Sequence, residues 1–144
     1  MTTLHIVLSD LEVTHATLSK ITLLQNKLSA NVVWYLHHHQ RLLDRRYFAH
    51  ELAGISGELQ ASHDSKVAQI ELKIKKHFPK SSVYQCKEKY WSKQVNSNST
   101  KLDPIVIVRS KTGLTSADNQ HISQNKSTVF IINQEKWYSD GKAV

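Results

Sequence analysis

Five short apolar segments, separated by polar or amphipathic stretches, constrain the fold of this chain more than any other feature. The clearest covers residues 104–108, where a proline precedes four β-branched residues and no charge is present. Such a run is typical of a strand at the centre of a sheet covered on both faces, and proline is tolerated at the first strand position. The other predicted strands are residues 4–8, 32–36, 82–86 and 128–132.

Amphipathic patterns between these segments predict helices. Leu18, Ile21, Leu24 and Leu28 recur at helical spacing with polar residues between them. This pattern predicts an amphipathic helix of about 15 residues, with Thr14 as its N-cap, because a threonine hydroxyl can accept a hydrogen bond from the first turn.

Further helices are predicted between the second and fourth strands. One covers 41–60, and a second starts near residues 64–65 and stops before Pro79, since the residue before a proline disfavours helical backbone. One or two helical turns are expected over 90–95, followed by a polar loop at 96–100.

This alternation of strands and helices predicts the fold class. A strand, a helix and a strand joined by short connections form a βαβ unit with parallel pairing and a right-handed crossover. We therefore expect a Rossmann-like α/β fold: an open, mostly parallel five-stranded sheet with helices on both faces, in one domain over 1–144. The segment from residue 133 onward is polar and is expected to be loosely held, apart from Trp137 and Tyr138.

Length and composition fit one soluble domain. The chain has 144 residues, 40% hydrophobic and 22% charged, which is enough for a single core. No apolar run approaches the length of a membrane span, and residues 1–12 lack the basic start of a secretory signal. A single cysteine, Cys86, excludes an internal disulfide, so a cytoplasmic location is expected.

The formal net charge of +7 comes largely from lysines in the middle of the chain. A concentrated basic face can attract nucleic acid. Arginine, the residue that reads bases, is scarce in this region, which favours a solvated helix face instead. The lysines concerned are Lys66, Lys73, Lys75, Lys76, Lys80, Lys87, Lys89 and Lys93.

Four segments in a fixed order carry a resemblance to a known family. Residues 4–10 end in Asp10 and lead into the helix after Thr14, and the second strand ends near His37. Residues 103–114 read Asp-Pro-Ile-Val-Ile-Val-Arg-Ser-Lys-Thr-Gly-Leu. This order resembles the universal stress protein family, whose fourth strand ends at a glycine-rich, nucleotide-binding loop. The resemblance implies that Asp10, with Ser9 adjacent, would contact the base or ribose of a nucleotide.

The loop after the fourth predicted strand departs from that family's pattern. Nucleotide-binding members carry Gly-x-x-Gly followed by Gly-Ser or Gly-Thr, because backbone amides must approach phosphate oxygens closely. Here Gly113 is the loop's one glycine, and Ser110 stands near the place of the first family glycine. The stretch 115–127 is also short and polar, so we expect no phosphate-capping helix there. ATP binding is therefore expected to be lost or weak.

The loop itself allows two interpretations. Two cations, two hydroxyls and a glycine at the end of a central strand form an anion pocket for a phosphate, a sulfate or an acidic side chain, or else a solvated connection. The residues are Arg109, Ser110, Lys111, Thr112 and Gly113. His37 belongs to the same candidate site, because open α/β sheets bind ligands at the carboxyl ends of their strands.

No pattern in the sequence indicates catalysis or a metal centre. His37, His38 and His39 are adjacent, and successive residues on an extended segment point to opposite faces, so at most two could share a metal. Cys86 lies in a strand-like segment, where a free cysteine is usually a small buried hydrophobe. We therefore expect no catalytic residue, no metal and no obligatory cofactor.

The expected function is that of a non-catalytic, stress-protein-like binding or regulatory module with little or no ATP binding. The alternatives are a nucleotide sensor with a degenerate loop, binding ATP or AMP, and a basic nucleic-acid-associated protein. The family's last strand often pairs across a dimer axis. The resemblance thus implies a homodimer through Thr128, Val129, Phe130, Ile131 and Ile132.

Overall fold

The computed structural model describes residues 2–8, 12–37, 53–88, 90–98, 103–109, 114–124 and 128–134. Strands and helices alternate along these residues, and no helix in this part of the chain combines the length and apolar character needed to cross a membrane. In chain order the elements are β1 (Thr3–Leu8), α1 (His15–Leu28), β2 (Asn31–His37), α2 (Ala53–His77), β3 (Ser82–Cys86), α3 (Ser92–Asn98), β4 (Ile105–Arg109), α4 (Ser116–Gln124) and β5 (Val129–Asn133).

The five strands form one open sheet in the order β3-β2-β1-β4-β5. All four pairings are parallel, with Ile6 of β1 lying between Trp34 of β2 and Val106 of β4. The predicted five-stranded α/β sheet is thus confirmed, and it is parallel throughout. The chain runs outward from β1 to β3 and then returns to place β4 beside β1, which makes the β1–β4 boundary the topological switch point.

Helices cover both faces, as predicted, because side chains alternate along each strand. On one face, α1 and α2 pack on residues such as Leu4, Ile6 and Trp34. On the other face, α3 and α4 pack on Val7, Tyr35, Ile105 and Ile107, with Trp91 filling the centre. Strands β1 and β4 are buried on both faces, which explains their continuous apolar sequence.

Helix α1 begins and ends as its sequence predicts. The Thr14 hydroxyl accepts a hydrogen bond from the Thr17 amide at 3.1 Å, which confirms Thr14 as the N-cap. Ser29 ends the helix in the left-handed region with φ 49°. Its amide and that of Ala30 bond to carbonyls of the last turn, which is how a C-terminal cap satisfies those acceptors.

Helix α2 differs from the prediction at its start. It runs from Ala53 without a break, so the helix predicted over 41–60 is confirmed for 53–60 and the separate start near residues 64–65 is wrong; the range 41–52 lies outside the described residues. Two glycines in its first turns cost about 1 kcal/mol each relative to alanine, but no proline interrupts the segment. Since adding a residue to an existing helix is far easier than starting one, the helix extends back from its packed half. It ends before Pro79 as predicted.

Helix α3 also extends further than predicted. It continues through residues 96–98, which the sequence indicated as part of a polar loop. Val95 is buried in the core. The side-chain amide of Asn96 donates to the Ser92 hydroxyl at 3.4 Å, and the Ser97 hydroxyl donates to the Gln94 carbonyl at 2.8 Å. Polar side chains that would favour a loop are therefore satisfied within the helix.

The chain after β5 begins with a buried glutamine that the sequence did not single out. Gln134 is 4% exposed; its Oε1 accepts from the Thr14 amide at 2.7 Å and from the Thr17 hydroxyl at 3.0 Å. Its Nε2 donates to the Glu12 carbonyl at 3.0 Å. The expectation of a loosely held segment from residue 133 is thus wrong for its first two residues, of which Asn133 ends β5. Trp137 and Tyr138 lie outside the described residues.

Candidate functional site

The carboxyl edge of the sheet is the place where an open α/β fold binds ligands. There β1 ends at Leu8 and β4 ends at Arg109, on the two sides of the switch point. Of the predicted site residues, the structure describes His37 and Arg109. The others lie outside the described residues: Ser9, Asp10, Ser110, Lys111, Thr112 and Gly113.

His37 is held in place at the end of β2. Its side chain is largely buried, and Nε2 lies 2.7 Å from the carbonyl oxygen of Glu88, just beyond β3. Since a carbonyl can only accept, Nε2 carries the proton in this contact, and a neutral ring then has Nδ1 as its acceptor. His37 thus joins the ends of two neighbouring strands. Within the described ranges, no three metal-ligating residues cluster.

Arg109 turns into the layer of α3 and α4 instead of toward the mouth of the sheet. Its guanidinium is 1% exposed and forms a bidentate pair with Asp118. Nε donates to Oδ2 at 2.6 Å, Nη2 contacts Oδ1, and Nη1 donates to the carbonyl of Val108 at 2.8 Å. The structure therefore places this cation in an internal ion pair with almost no exposure to solvent.

Asp118 receives hydrogen bonds from three directions. Besides the two Arg109 nitrogens, the Trp91 indole donates to Oδ1 at 2.9 Å and the Thr115 amide donates to Oδ2 at 2.9 Å. Burial alone would raise the pKa of this carboxyl, but the hydrogen bonds and charge of Arg109, with the other donors, hold the pKa below its ordinary value. Asp118 is therefore ionised and fully desolvated, and four N–H groups converge on it.

The same carboxylate caps helix α4. Thr115 precedes the helix, its hydroxyl accepts from the Asp118 amide at 3.3 Å, and the carboxylate returns to the Thr115 amide. This reciprocal arrangement is a capping box. Residues 116–124 are helical, although the sequence of 115–127 is short and polar; whether this helix can cap a phosphate stays a prediction. The positive end of that helix carries the chain's own carboxylate where a bound phosphate would otherwise be favoured.

Sequence reasoning missed Asp118 and Trp91. A Thr-x-x-Asp pattern at 115–118 indicates a helix start. It does not indicate that Asp118 pairs with Arg109, nine positions earlier in the chain. Trp91 lies 27 residues away and reaches Asp118 through tertiary packing alone.

His121 lies one turn after Asp118 in the same core. Its ring packs on Trp91 with centroids 4.6 Å apart, and Nδ1 lies 2.7 Å from the Ser92 hydroxyl. Burial lowers the pKa of His121, against the opposing charge of Asp118. Serine, histidine and aspartate occur together here, yet Ser92 is 5% exposed and Asp118 is bound to Arg109. The group therefore offers no hydroxyl that a substrate can reach.

A second buried polar group lies at the amino edge of the sheet. His5 Nε2 is 3.2 Å from an oxygen of Asp103, and Nδ1 is 3.0 Å from the hydroxyl of Tyr35. Burial, the largest influence, raises the pKa of Tyr35 to about 12, so the phenol stays protonated. Asp103, which belongs to the motif behind the family resemblance, ties the start of β4 to β1 in this structure.

Cys86 is buried in the same layer as Trp91, as predicted for a free cysteine in a strand. Burial raises the pKa of its thiol, so the group remains a neutral thiol at physiological pH.

Comparisons with protein-family models, with curated proteins and with solved structures gave no match for this chain. The resemblance to universal stress proteins therefore depends on the ordered segments described above.

Replacing Asp118 with asparagine should lower the free energy of unfolding by about 3 kcal/mol, because it leaves the buried Arg109 charge uncompensated. Urea denaturation followed by circular dichroism measures this loss. The exposed Asp64→Asn change serves as the matched control, and it should alter stability by less than about 0.5 kcal/mol. The double variant Arg109→Met with Asp118→Met should be more stable than D118N. Equal effects of D118N and D64N would contradict the assigned ion pair.

Stability should also fall in mild acid because of His121. Its pKa is lowered in the folded state, so the unfolded chain binds the proton more readily, and the free energy of unfolding declines as the pH drops below the ordinary value of 6.5. Urea titrations between about pH 5 and pH 8 should show a smaller pH dependence for His121→Asn than for the wild type. Identical slopes for His121→Asn and the wild type would refute the assignment.

Proposed function

We propose that this chain is a non-catalytic binding or regulatory module, similar in layout to universal stress proteins, in which ATP binding is lost or weak. The observation that carries the proposal is the position of Asp118. Its carboxylate occupies the N-terminal end of the helix after β4 and engages Arg109, the one cation of the candidate anion loop that the structure describes.

Electrostatics explain why this arrangement disfavours a polyphosphate. A helix N-terminus attracts an anion through its unpaired amides and partial positive charge. In α4 the Thr115 amide already donates to Asp118, and the Arg109 charge is already paired with the same carboxylate, so neither group is available to a phosphate. The loop 110–113 adds one glycine where close phosphate contact needs several. The proposal therefore has two independent supports.

A small anionic ligand or a nucleotide remains the second candidate, and the sheet topology favours it. The switch point between β1 and β4 is the usual ligand position in this architecture. A degenerate nucleotide sensor would use Asp10, His37 and the loop 110–113. His37 reaches this edge with Nε2 bonded to the Glu88 carbonyl, so its ring is held at the carboxyl ends of the strands.

Two contacts weaken the case for nucleic-acid binding through the lysine-rich middle. The Lys73 ammonium donates to the Val13 carbonyl at 2.6 Å, and the Lys75 ammonium donates to the Ser81 carbonyl. These lysines satisfy backbone acceptors of neighbouring loops, so part of the basic surface has a structural use.

A cytoplasmic location belongs to the same proposal; its support is the buried thiol of Cys86 as the chain's only cysteine.

The proposed homodimer would form through β5. Within the described residues β5 pairs with β4 alone, so its outer edge offers backbone groups to a second copy. Ile131 adds an apolar side chain that is 52% exposed, which is unusual beside a sheet edge and suits an isologous contact.

Calorimetric titration with magnesium-ATP should give no binding heat at low micromolar affinity, because the donors that would hold the phosphates are few or already used. A thermal-shift series with ATP, AMP and inorganic phosphate at two salt concentrations provides the control for weak, nonspecific anion effects. A saturable ATP isotherm in the low micromolar range would overturn the proposal and favour the nucleotide sensor.

Light scattering at high micromolar concentration should give twice the mass of one chain. Ile131→Lys should shift the protein toward the monomer, because it buries a charge against a second copy. Ile122→Lys, on the surface of α4, is the matched control and should leave the mass unchanged. A monomer mass for the wild type would exclude the dimer.

A further inference from the structure

A cleft opens at the amino edge of the sheet, opposite the edge that holds the candidate functional site. It lies between the C-terminal ends of α1 and α2, where β2 begins and the turn 78–81 leads into β3. Its volume is ≈ 280 Å³. That is slightly below the range of about 300–1,000 Å³ usual for sites of drug-sized ligands, so an occupant must be small.

The floor of the cleft is apolar and well supported. Val32, Phe78 and Pro79 form it, and the first two are almost wholly buried. The Phe78 ring packs on Trp34 with centroids 5.7 Å apart, and Trp34 lies in the core beneath α1 and α2. A floor fixed in this way offers a preformed surface for the apolar body of a ligand.

The rim of the cleft is polar, and its cationic residue is Lys80. Lys80, His77 and the Gln25 amide lie there, and none of the residues lining the cleft is a carboxylate. Lys80 is exposed, and within the described part of the chain its ammonium makes no hydrogen bond or ion pair. A negatively charged group at this rim would therefore gain a partner without displacing an existing one.

The two helix C-termini beside the cleft do not cancel this attraction. Such ends carry partial negative charge through unpaired carbonyls, but several of these carbonyls are satisfied here. Gln25 and Asn26 accept from the amides that follow α1, and Ile74 accepts from the amide of Phe78 at 2.7 Å. The Lys73 carbonyl accepts from Nδ1 of His77 at 3.0 Å. Part of the negative charge of these helix ends is therefore already met by donors of the chain itself.

We propose that this cleft is a second binding site, distinct from the switch point, for a small monocarboxylate with an apolar body. The apolar part would lie on Val32 and Phe78, and the carboxylate would face the Lys80 ammonium with the Gln25 amide as a further donor. The site does not depend on whether the chain binds nucleotides, so the two proposals can fail separately.

Titration of the full ¹⁵N-labelled chain with benzoate tests the proposal by NMR. Amide shifts should concentrate at residues 25, 31–32 and 77–81 and should saturate in the millimolar range. Benzamide, which has the same body without the charge, and inorganic phosphate, which has the charge without the body, should each bind more weakly. Lys80→Glu should weaken benzoate binding by about three- to five-fold, the usual worth of an exposed ion pair.

Lys76→Glu is the matched control, because Lys76 is an exposed lysine in the last turn of α2 that does not line the cleft. It changes the net charge equally and should leave the benzoate affinity within about two-fold of the wild type. Three results would overturn the proposal: no saturable shifts with benzoate, equal affinities for benzoate and benzamide, or equal losses in the two lysine variants. Shifts centred on the β1–β4 edge would also overturn it, and they would point to the switch point instead.

Discussion

Arg109 and Asp118 lie together between the end of β4 and the first turn of α4, with almost no contact with water. A buried arginine is stable only when its charge is met at close range. The Asp118 carboxylate pairs with the Arg109 charge, caps α4 and accepts a hydrogen bond from the Trp91 indole. The pair thereby fixes α4 to β4 and holds the segment before α3 through Trp91. It also occupies the donors at the start of α4, which is one of the two supports for the proposed loss or weakness of ATP binding.

The fold could be predicted from sequence because its information is local. Five apolar segments gave five strands within one residue of their predicted limits, and Thr14 gave the N-cap of α1. The continuity of α2 could not be read in the same way, since the polar residues near 64–65 look like a helix start without forbidding a helix that runs through them. An existing helix is extended more easily than a new one is started, so the two predicted helices form one.

The candidate site was less predictable, because its contacts join distant parts of the chain. Arg109 was grouped with Ser110 and Lys111 by adjacency, yet the strand alternation turns its side chain into the layer of α3 and α4. His37 was placed correctly at the carboxyl edge, but its partner at Glu88 could not be inferred from spacing. Loop residues 9–10 and 110–113 lie outside the described ranges, so their grouping stays a prediction.

The contacts of Gln134 and of β4 bear on the order in which parts of the chain can pair during synthesis. Strand β1 is made before one of its neighbours, β4, and before the glutamine that holds the start of α1; both follow it by about a hundred residues or more. On the ribosome, β1 and β2 can pair while the opposite flank of β1 is still bare. Contacts of such long sequence separation slow folding. One flank of this central strand therefore stays unpaired until β4 has been made.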